Sequence, residues 1–147
     1  MSEIKELGMR DIGELKQLFF GVFSAEPWND DWSDDLQLHS YIEELIGNSN
    51  SVAFGLFSEG ELIGASMGSI KHWWQGTEYH IDEFFIKTAE QGKGLGTGFL
   101  EAIEESVRSK GVTRIFLQTD RHAPAYKFYL KNGFTDMTDH VSLVKNI

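Results

Sequence analysis

Apolar positions along the chain change their period several times, and each change marks an element. Residues 4–7 predict a short first strand. Ile12, Leu15, Leu18, Phe19, Val22 and Phe23 then recur at three- and four-residue intervals, the stripe of an amphipathic helix, and Asp11 with Glu14 reads as its capping box. Pro27 and its polar neighbours end that helix. Ser33 reads as a second N-cap, with Asp34 and Asp35 in the first turn, where carboxylates suit the positive end of a helix dipole. Leu36, Tyr41, Ile42 and Leu45 carry this helix on, and Gly47 or Asn48 closes it.

Strand-forming runs follow. Residues 51–57 and 62–70 predict two strands around the turn Ser58-Glu59-Gly60-Glu61. Residues 71–77 read as a loop carrying Trp73 and Trp74, and 78–86 as another strand. Phe99, Leu100, Ile103 and Val107 mark a helix, with Lys110 in its last turn and Gly111 just past its end. Residues 114–119 predict a strand, 123–132 a helix stopped by Gly133, and 141–144 a strand that closes the sheet. The order βααβββαβαβ describes an α/β fold, a mixed sheet covered by helices.

A length of 147 residues fits one domain spanning 1–147. Hydrophobic residues at 41% and charged residues at 24% exclude disorder. The absence of cysteine excludes disulfides, thiolate metal sites and a cysteine nucleophile. Met1-Ser2-Glu3-Ile4-Lys5-Glu6 has neither the basic nor the apolar region of a signal peptide. No apolar run approaches the ~18 residues of a membrane span, so no membrane partner is expected and the chain reads as cytoplasmic. The histidines at 39, 72, 80, 122 and 140 have no metal-ligand spacing, and no metal is implied.

The net charge of −10 excludes bulk binding to nucleic acid, whose phosphates demand Lys and Arg. That charge is unevenly distributed. Residues 1–77 carry 13 acids and 4 bases, whereas residues 78–147 carry 10 acids and 9 bases. Residues 26–35 alone hold five acids, no bases, and Trp28 and Trp32. Aromatic rings beside carboxylates such as Asp30 and Asp31 suit a cationic, partly apolar acceptor; the alternative is a solvated acidic surface with one tryptophan as a buried anchor. Trp73 and Trp74 are candidates for an opposite wall of that pocket.

Glycines gather in Glu90-Gln91-Gly92-Lys93-Gly94-Leu95-Gly96-Thr97-Gly98, between a strand and a helix. Such a loop can present successive N–H groups and a helix N-terminus to a phosphate or diphosphate, with Lys93 adding charge. A P-loop is excluded because Gly94, not Ser or Thr, follows Lys93. A dinucleotide fingerprint is excluded because its last glycine would fall on Phe99 or Thr97. A flexible connection without a ligand is the remaining alternative.

Gln91-x-x-Gly94-x-Gly96 after an apolar strand resembles the acetyl-CoA-binding signature of the GNAT acetyltransferase superfamily. Some thirty residues on, Ala125-Tyr126-Lys127-Phe128-Tyr129-Leu130-Lys131-Asn132-Gly133-Phe134 is similar to that superfamily's late helix, which ends in F-Y-x-K-x-G-F. The element order agrees over nearly the whole chain. The segment Glu26-Pro27-Trp28-Asn29-Asp30-Asp31-Trp32 is similar to aminoglycoside 6'-N-acetyltransferase-like members.

The resemblance implies a mostly antiparallel sheet flanked by helices, and acetyl-CoA as cofactor. It implies that the diphosphate sits on the N–H groups of Gln91, Gly92, Lys93, Gly94, Leu95, Gly96 and Thr97. The pantetheine arm would run along the splayed strand end at Phe84, Phe85 and Ile86, where an open edge offers unpaired backbone groups. Tyr129 matches the tyrosine that protonates the leaving thiolate; its alternative is a packed core tyrosine. Tyr126, one turn earlier, suits packing or cofactor contact. An Asn that contacts the cofactor in some members is replaced here by Asp120 and Arg121.

The base that deprotonates the amine falls among His80, Asp82 and Glu83. Strand alternation places His80 and Asp82 on one face and Glu83 on the other unless a bulge intervenes. Glu83 is the first candidate and Asp82 the second, with purely electrostatic binding of the cation as the alternative role. His80 is retained as an acceptor-binding residue.

These readings converge on an acetyl-CoA-dependent N-acetyltransferase. It would act on a primary amine of a small cationic acceptor, aminoglycoside- or polyamine-like, by direct transfer in a ternary complex. A protein lysine or N-terminal acetyltransferase and a non-catalytic acyl-CoA-binding module are the alternatives. Dimers are common among relatives, which leaves a homodimer open.

Overall fold

The computed structural model describes residues 2–147. Residues up to Leu117 form one compact unit, and residues from Gln118 form a second.

The first unit is built on five strands in spatial order β1-β2-β3-β4-β5: β1 (Ser2–Leu7), β2 (Ser51–Ser58), β3 (Glu61–Trp73), β4 (Gly76–Ile86) and β5 (Val112–Leu117). The first four pair antiparallel, and β4 pairs with β5 in parallel. A parallel pair needs a crossover. Here the crossover contains helix α3 (Leu95–Arg108); α1 (Ile12–Phe23) and α2 (Asp35–Gly47) connect β1 to β2.

Each face of the sheet has its own core. On one, Leu15, Phe19 and Val22 of α1 and Leu38, Ile42 and Ile46 of α2 pack against Ala53, Ala65, Met67 and Phe85. On the other, Phe99, Ile103 and Val107 of α3 cover Phe54, Ile63, Tyr79, Ile81 and Ile86. Burying a side chain such as Phe19, 2% exposed, contributes roughly 1.5–3 kcal/mol. The fully buried Tyr79 hydroxyl is satisfied by Ser66 Oγ and the Val52 carbonyl, each at 3.0 Å. Two cores on opposite faces require β2, β3 and β4 to be apolar on both sides, which is why these strands read as near-continuous apolar runs.

Several local expectations are corrected. Asp11 is the N-cap residue of α1, but its carboxylate makes no capping bond; it accepts instead from Gly8 N at 2.8 Å and closes a preceding 3-10 turn over Met9–Asp11. The cap of α2 is Asp34, which accepts from Leu36 N and Gln37 N at 3.0 and 3.2 Å, while Ser33 bonds Asp31. Residues 71–77 are not a loop: β3 and β4 run to a tight turn, with Trp73 opposite Gly76.

The second unit contains α4 (Pro124–Lys131), with Pro124 at the start, where its missing N–H costs nothing. The strand expected over 141–144 is not formed: these residues have no regular structure, and Val141, Leu143 and Val144 are exposed. Apolar composition there lacks any ladder of backbone hydrogen bonds to hold it extended.

Candidate active site

A β-bulge in β4 decides which side chains share a face. Met67 pairs with Glu83 and Gly68 with Ile81, so Asp82 is the extra residue on β4. The bulge changes the alternation. Tyr79 and Ile81 point to the α3 core, and so does Phe84, three residues after Ile81 rather than two. Glu83 and Phe85 therefore join the face of His80, on the side of α1 and α2, and the simple alternation that separated His80 from Glu83 does not hold.

On that face the Glu83 carboxylate is only partly exposed and accepts a hydrogen bond from Tyr41 of α2, Oη to Oε2, at 2.5 Å. Aromatic rings surround the pair. Trp32 stacks on Tyr41 at 5.4 Å between centroids, and Phe19 lies 5.3 Å from Trp32 and 5.7 Å from Phe85. Phe23 bridges Phe85, at 5.2 Å, and Trp28, at 5.6 Å. Burial in this box pushes the Glu83 carboxyl above the ordinary carboxylate range; the Tyr41 hydrogen bond opposes the shift, and the charges of Asp82 and Asp30 add to it. Asp82, on the solvent side of the bulge, is raised by its own desolvation, against the pull of Lys71 and His80. Tyr41 is raised in turn, by burial and then by its bond to Glu83.

Beyond the bulge, β4 loses its second neighbour. Pairing with β5 ends at Ile81 opposite Leu117, while β3 follows β4 to Ile86. On that side residues 82–86 have no partner in β5, and the strand end leads to the glycine loop. Gln91 Nε2 donates to the Ile86 carbonyl at 2.8 Å and ties the loop to the strand end. Gly94, at φ +76°, is the N-cap of α3; it takes the left-handed conformation natural to glycine, and no side chain caps the helix. A Cβ at Gly92, Gly94 or Gly98 would meet nothing within 4 Å, so the glycine loop and the start of α3 leave space beside their backbone. An uncapped helix N-terminus at a glycine loop fits a diphosphate, and a strand end that leaves its parallel neighbour behind fits an amide-bearing arm. Lys93 forms an exposed ion pair with Glu90 at 2.9 Å.

Further along β4, Glu78 is 5% exposed and accepts from His80 Nε2 at 2.8 Å and from Arg114 Nε at 2.6 Å. Burial raises its carboxyl, but the bonds from His80 and Arg114 outweigh that and hold it below the usual range. His80 also packs on Phe116, 4.7 Å between ring centroids.

The predicted site residues are thus sorted. Trp28, Trp32, Asp30, Asp82, Glu83 and Phe85 are brought together. Phe84 turns the other way and stacks on Phe99 at 5.4 Å. Asp31 is exposed and bonded to Ser33 at 2.6 Å. Trp73 and Trp74 lie at the tip of the β3–β4 hairpin, seven residues from Glu83 along β4, or roughly 20 Å at strand rise. They form no wall around Glu83. In the second unit, Tyr129 of α4 is 8% exposed and packs on Phe134 at 5.3 Å. Tyr126 donates to Asp136 at 2.9 Å, and Arg121 bonds the same carboxylate at 2.7 Å. Sequence reasoning missed Tyr41, which it placed in the apolar stripe of α2. The available signal was chemical: a tyrosine in a buried stripe needs a partner for its hydroxyl.

A family model described as the acetyltransferase (GNAT) family matches residues 10–134. No curated protein matches the chain. Solved structures that share its fold include the following three. An aminoglycoside acetyltransferase from an uncultured soil metagenomic sample, in complex with sisomicin, is 20% identical with a TM-score of 0.76, over 99% of this chain and 96% of that one. The aminoglycoside acetyltransferase AAC(6')-Iy, in complex with a bisubstrate analogue of CoA and acetylneamine, is 18% identical with a TM-score of 0.75, over 100% and 99%. A ribosomal-protein-alanine N-acetyltransferase from Brucella melitensis biovar Abortus 2308 is 17% identical with a TM-score of 0.77, over the whole of both chains. The glycine loop on an uncapped helix, the strand end that leaves its parallel neighbour before it and the family match over most of the chain agree: the protein belongs to the acetyltransferase (GNAT) family and is an N-acetyltransferase that uses acetyl-CoA.

Proposed function

We propose that the chain, as one acetyltransferase domain, acetylates a primary amine on a small cationic acceptor by direct transfer in a ternary complex. The observation that carries this reading is the Glu83 carboxylate, raised by burial and boxed by Trp32, Tyr41 and Phe85 on the stretch of β4 beyond its pairing with β5. A carboxylate raised from its usual range is better matched to an ammonium proton. Aromatic faces and Asp30 suit an acceptor that is both cationic and partly apolar. Its resemblance to two aminoglycoside acetyltransferases in fold favours an amino sugar or polyamine.

Acetyl-CoA supplies the acetyl group as a thioester. The N–H groups of residues 91–97 hold its diphosphate, and the backbone of Phe84, Phe85 and Ile86 holds its arm. Glu83 takes the proton from the acceptor ammonium. The freed amine would form the new C–N bond as the C–S bond breaks, and the departing thiolate would take up a proton; Tyr129 is the residue that its motif assigns to that protonation. No cysteine is present to carry the acyl group, so holding amine and thioester together supplies much of the rate.

The test is a thiol-release screen with acetyl-CoA against aminoglycosides, polyamines, amino acids and peptides. Turnover of small polycationic amines supports the reading. Turnover confined to peptides assigns a protein acetyltransferase, and acetyl-CoA binding without turnover of any amine assigns a non-catalytic module.

A further inference from the structure

We infer that Tyr41 is a positioning residue for this reaction: its hydroxyl holds one oxygen of the Glu83 carboxylate, and its ring, stacked on Trp32, links the orientation of that carboxylate to the acceptor-side loop. The inference rests on Glu83 being the base.

Tyr41 reaches Glu83 from a different element, 42 residues away in sequence, through an O–H···O bond of 2.5 Å. That is the short range of a charge-assisted bond to an ionised acceptor. A carboxylate side chain otherwise turns freely about its last torsion. Fixing Oε2 fixes the plane of the group and the direction in which Oε1 meets a proton. The groups around Glu83 would otherwise favour its neutral form. Burial does so first, Asp82 and Asp30 add like charge, and Lys71 and His80 act on Asp82. Tyr41 is the partner that favours the ionised form. It therefore sets both the direction of the base and the pH at which it is available.

The second link runs through Trp32. Its ring lies nearly parallel to that of Tyr41, at 21°, and edge-on to Phe19. Its indole nitrogen is buried without a hydrogen-bond partner. Trp32 is thus held by ring contacts and not by a directional polar bond. The loop between α1 and α2, which also carries Trp28 and Asp30, bears on Glu83 through the Tyr41 ring.

The test is Tyr41→Phe, which keeps the ring and removes the bond. Two measurements are made: the titration of Glu83 by NMR with 13C-labelled glutamate, and the pH profile of kcat/KM with an acceptor found by the thiol-release screen. The Glu83 titration is expected to move to higher pH, and the acid limb of kcat/KM with it. The kcat should fall roughly tenfold, a part of the ~10²–10⁴ that a positioned base supplies, with acceptor KM little changed. In a Glu83→Gln background the same substitution should cost nothing further. Trp32→Phe, which keeps an aromatic ring in the box but shortens the surface stacked on Tyr41, should shift the Glu83 titration in the same direction by less. An unmoved titration in Tyr41→Phe overturns the inference, and an unmoved or downward-moved titration in Trp32→Phe overturns its second link. A moved titration with an unchanged rate overturns the role in the reaction. If Glu83→Gln alone retains full rate, it is the assignment of the base that fails, while the NMR still reports the Tyr41–Glu83 bond.

Discussion

The carbonyl oxygen of His80 occupies the space that a side chain on Gly68 would fill. This close approach lets Ile81 and Asp82 share one partner on β3 and turns Glu83 toward α2. A methyl group at position 68 would force the strands apart or flatten the bulge.

Gly68→Ala is accordingly expected to lower stability by about 1–3 kcal/mol, the range for overpacking a filled site. Acetylation should fall further than stability alone explains, because Glu83 loses its place. Urea unfolding together with kcat/KM below the transition checks both. A variant as stable and as active as the parent would show that the bulge does not depend on Gly68.

Glu83→Gln should reduce kcat by about 10²–10⁴ and abolish the acid limb of the rate profile. The stability effect has the opposite sign. The folded-state pKa of Glu83 is raised, so its ionisation disfavours folding above the ordinary glutamate range. The parent's relative stability is full below that range and declines as pH rises through the folded-state value. Glutamine cannot ionise, so the variant should be the more stable one at neutral pH and lose that advantage on acidification. Thermal melts from about pH 3 to about pH 8, spanning the ordinary carboxylate range, test the crossover.

Glu78 behaves in the reverse sense. Its folded-state pKa is depressed, so its contribution to stability is present above the ordinary glutamate range and is lost as pH falls through the folded value. Arg114→Met leaves this buried carboxylate with His80 alone. Because the Arg114 side chain is half exposed, the loss should be modest, about 2 kcal/mol. Urea midpoints at neutral and acidic pH should differ from the parent at the former and converge at the latter.

Trp73→Ala and Trp74→Ala should leave acceptor KM unchanged, since both rings stand at the hairpin tip, remote from Glu83 along β4. A rise in KM for either variant would place the acceptor elsewhere than at Glu83.

Much of the fold was legible because its signals are local. The stripe of α1, the apolar runs of β2 to β4 and the glycine loop before α3 each lie within one window of sequence. What escaped depended on a second segment. The faces of β4 are set by Gly68 on the neighbouring strand, so alternation within β4 could not assign Glu83. Tyr41 looked like any stripe residue until α2 was laid over β4. Residues 71–77 looked like a loop because Gln75-Gly76 signals a turn, but the turn is tight and the flanking residues continue the ladder. Residues 141–144 carried strand composition without the partner that makes a strand.

The bond from Gln91 to the Ile86 carbonyl has a consequence for which donors the protein accepts. On the proposed reading, one side chain pins the loop that would grip the charged end of the donor to the strand that would grip its acyl arm. The two grips then stand a set span apart, like the jaws of a calliper. A donor whose arm is too short to reach both jaws, such as a simple acetylated thiol lacking the nucleotide, engages only one of them. On that reading the protein would select its donor by the length of its arm as well as by its acyl group.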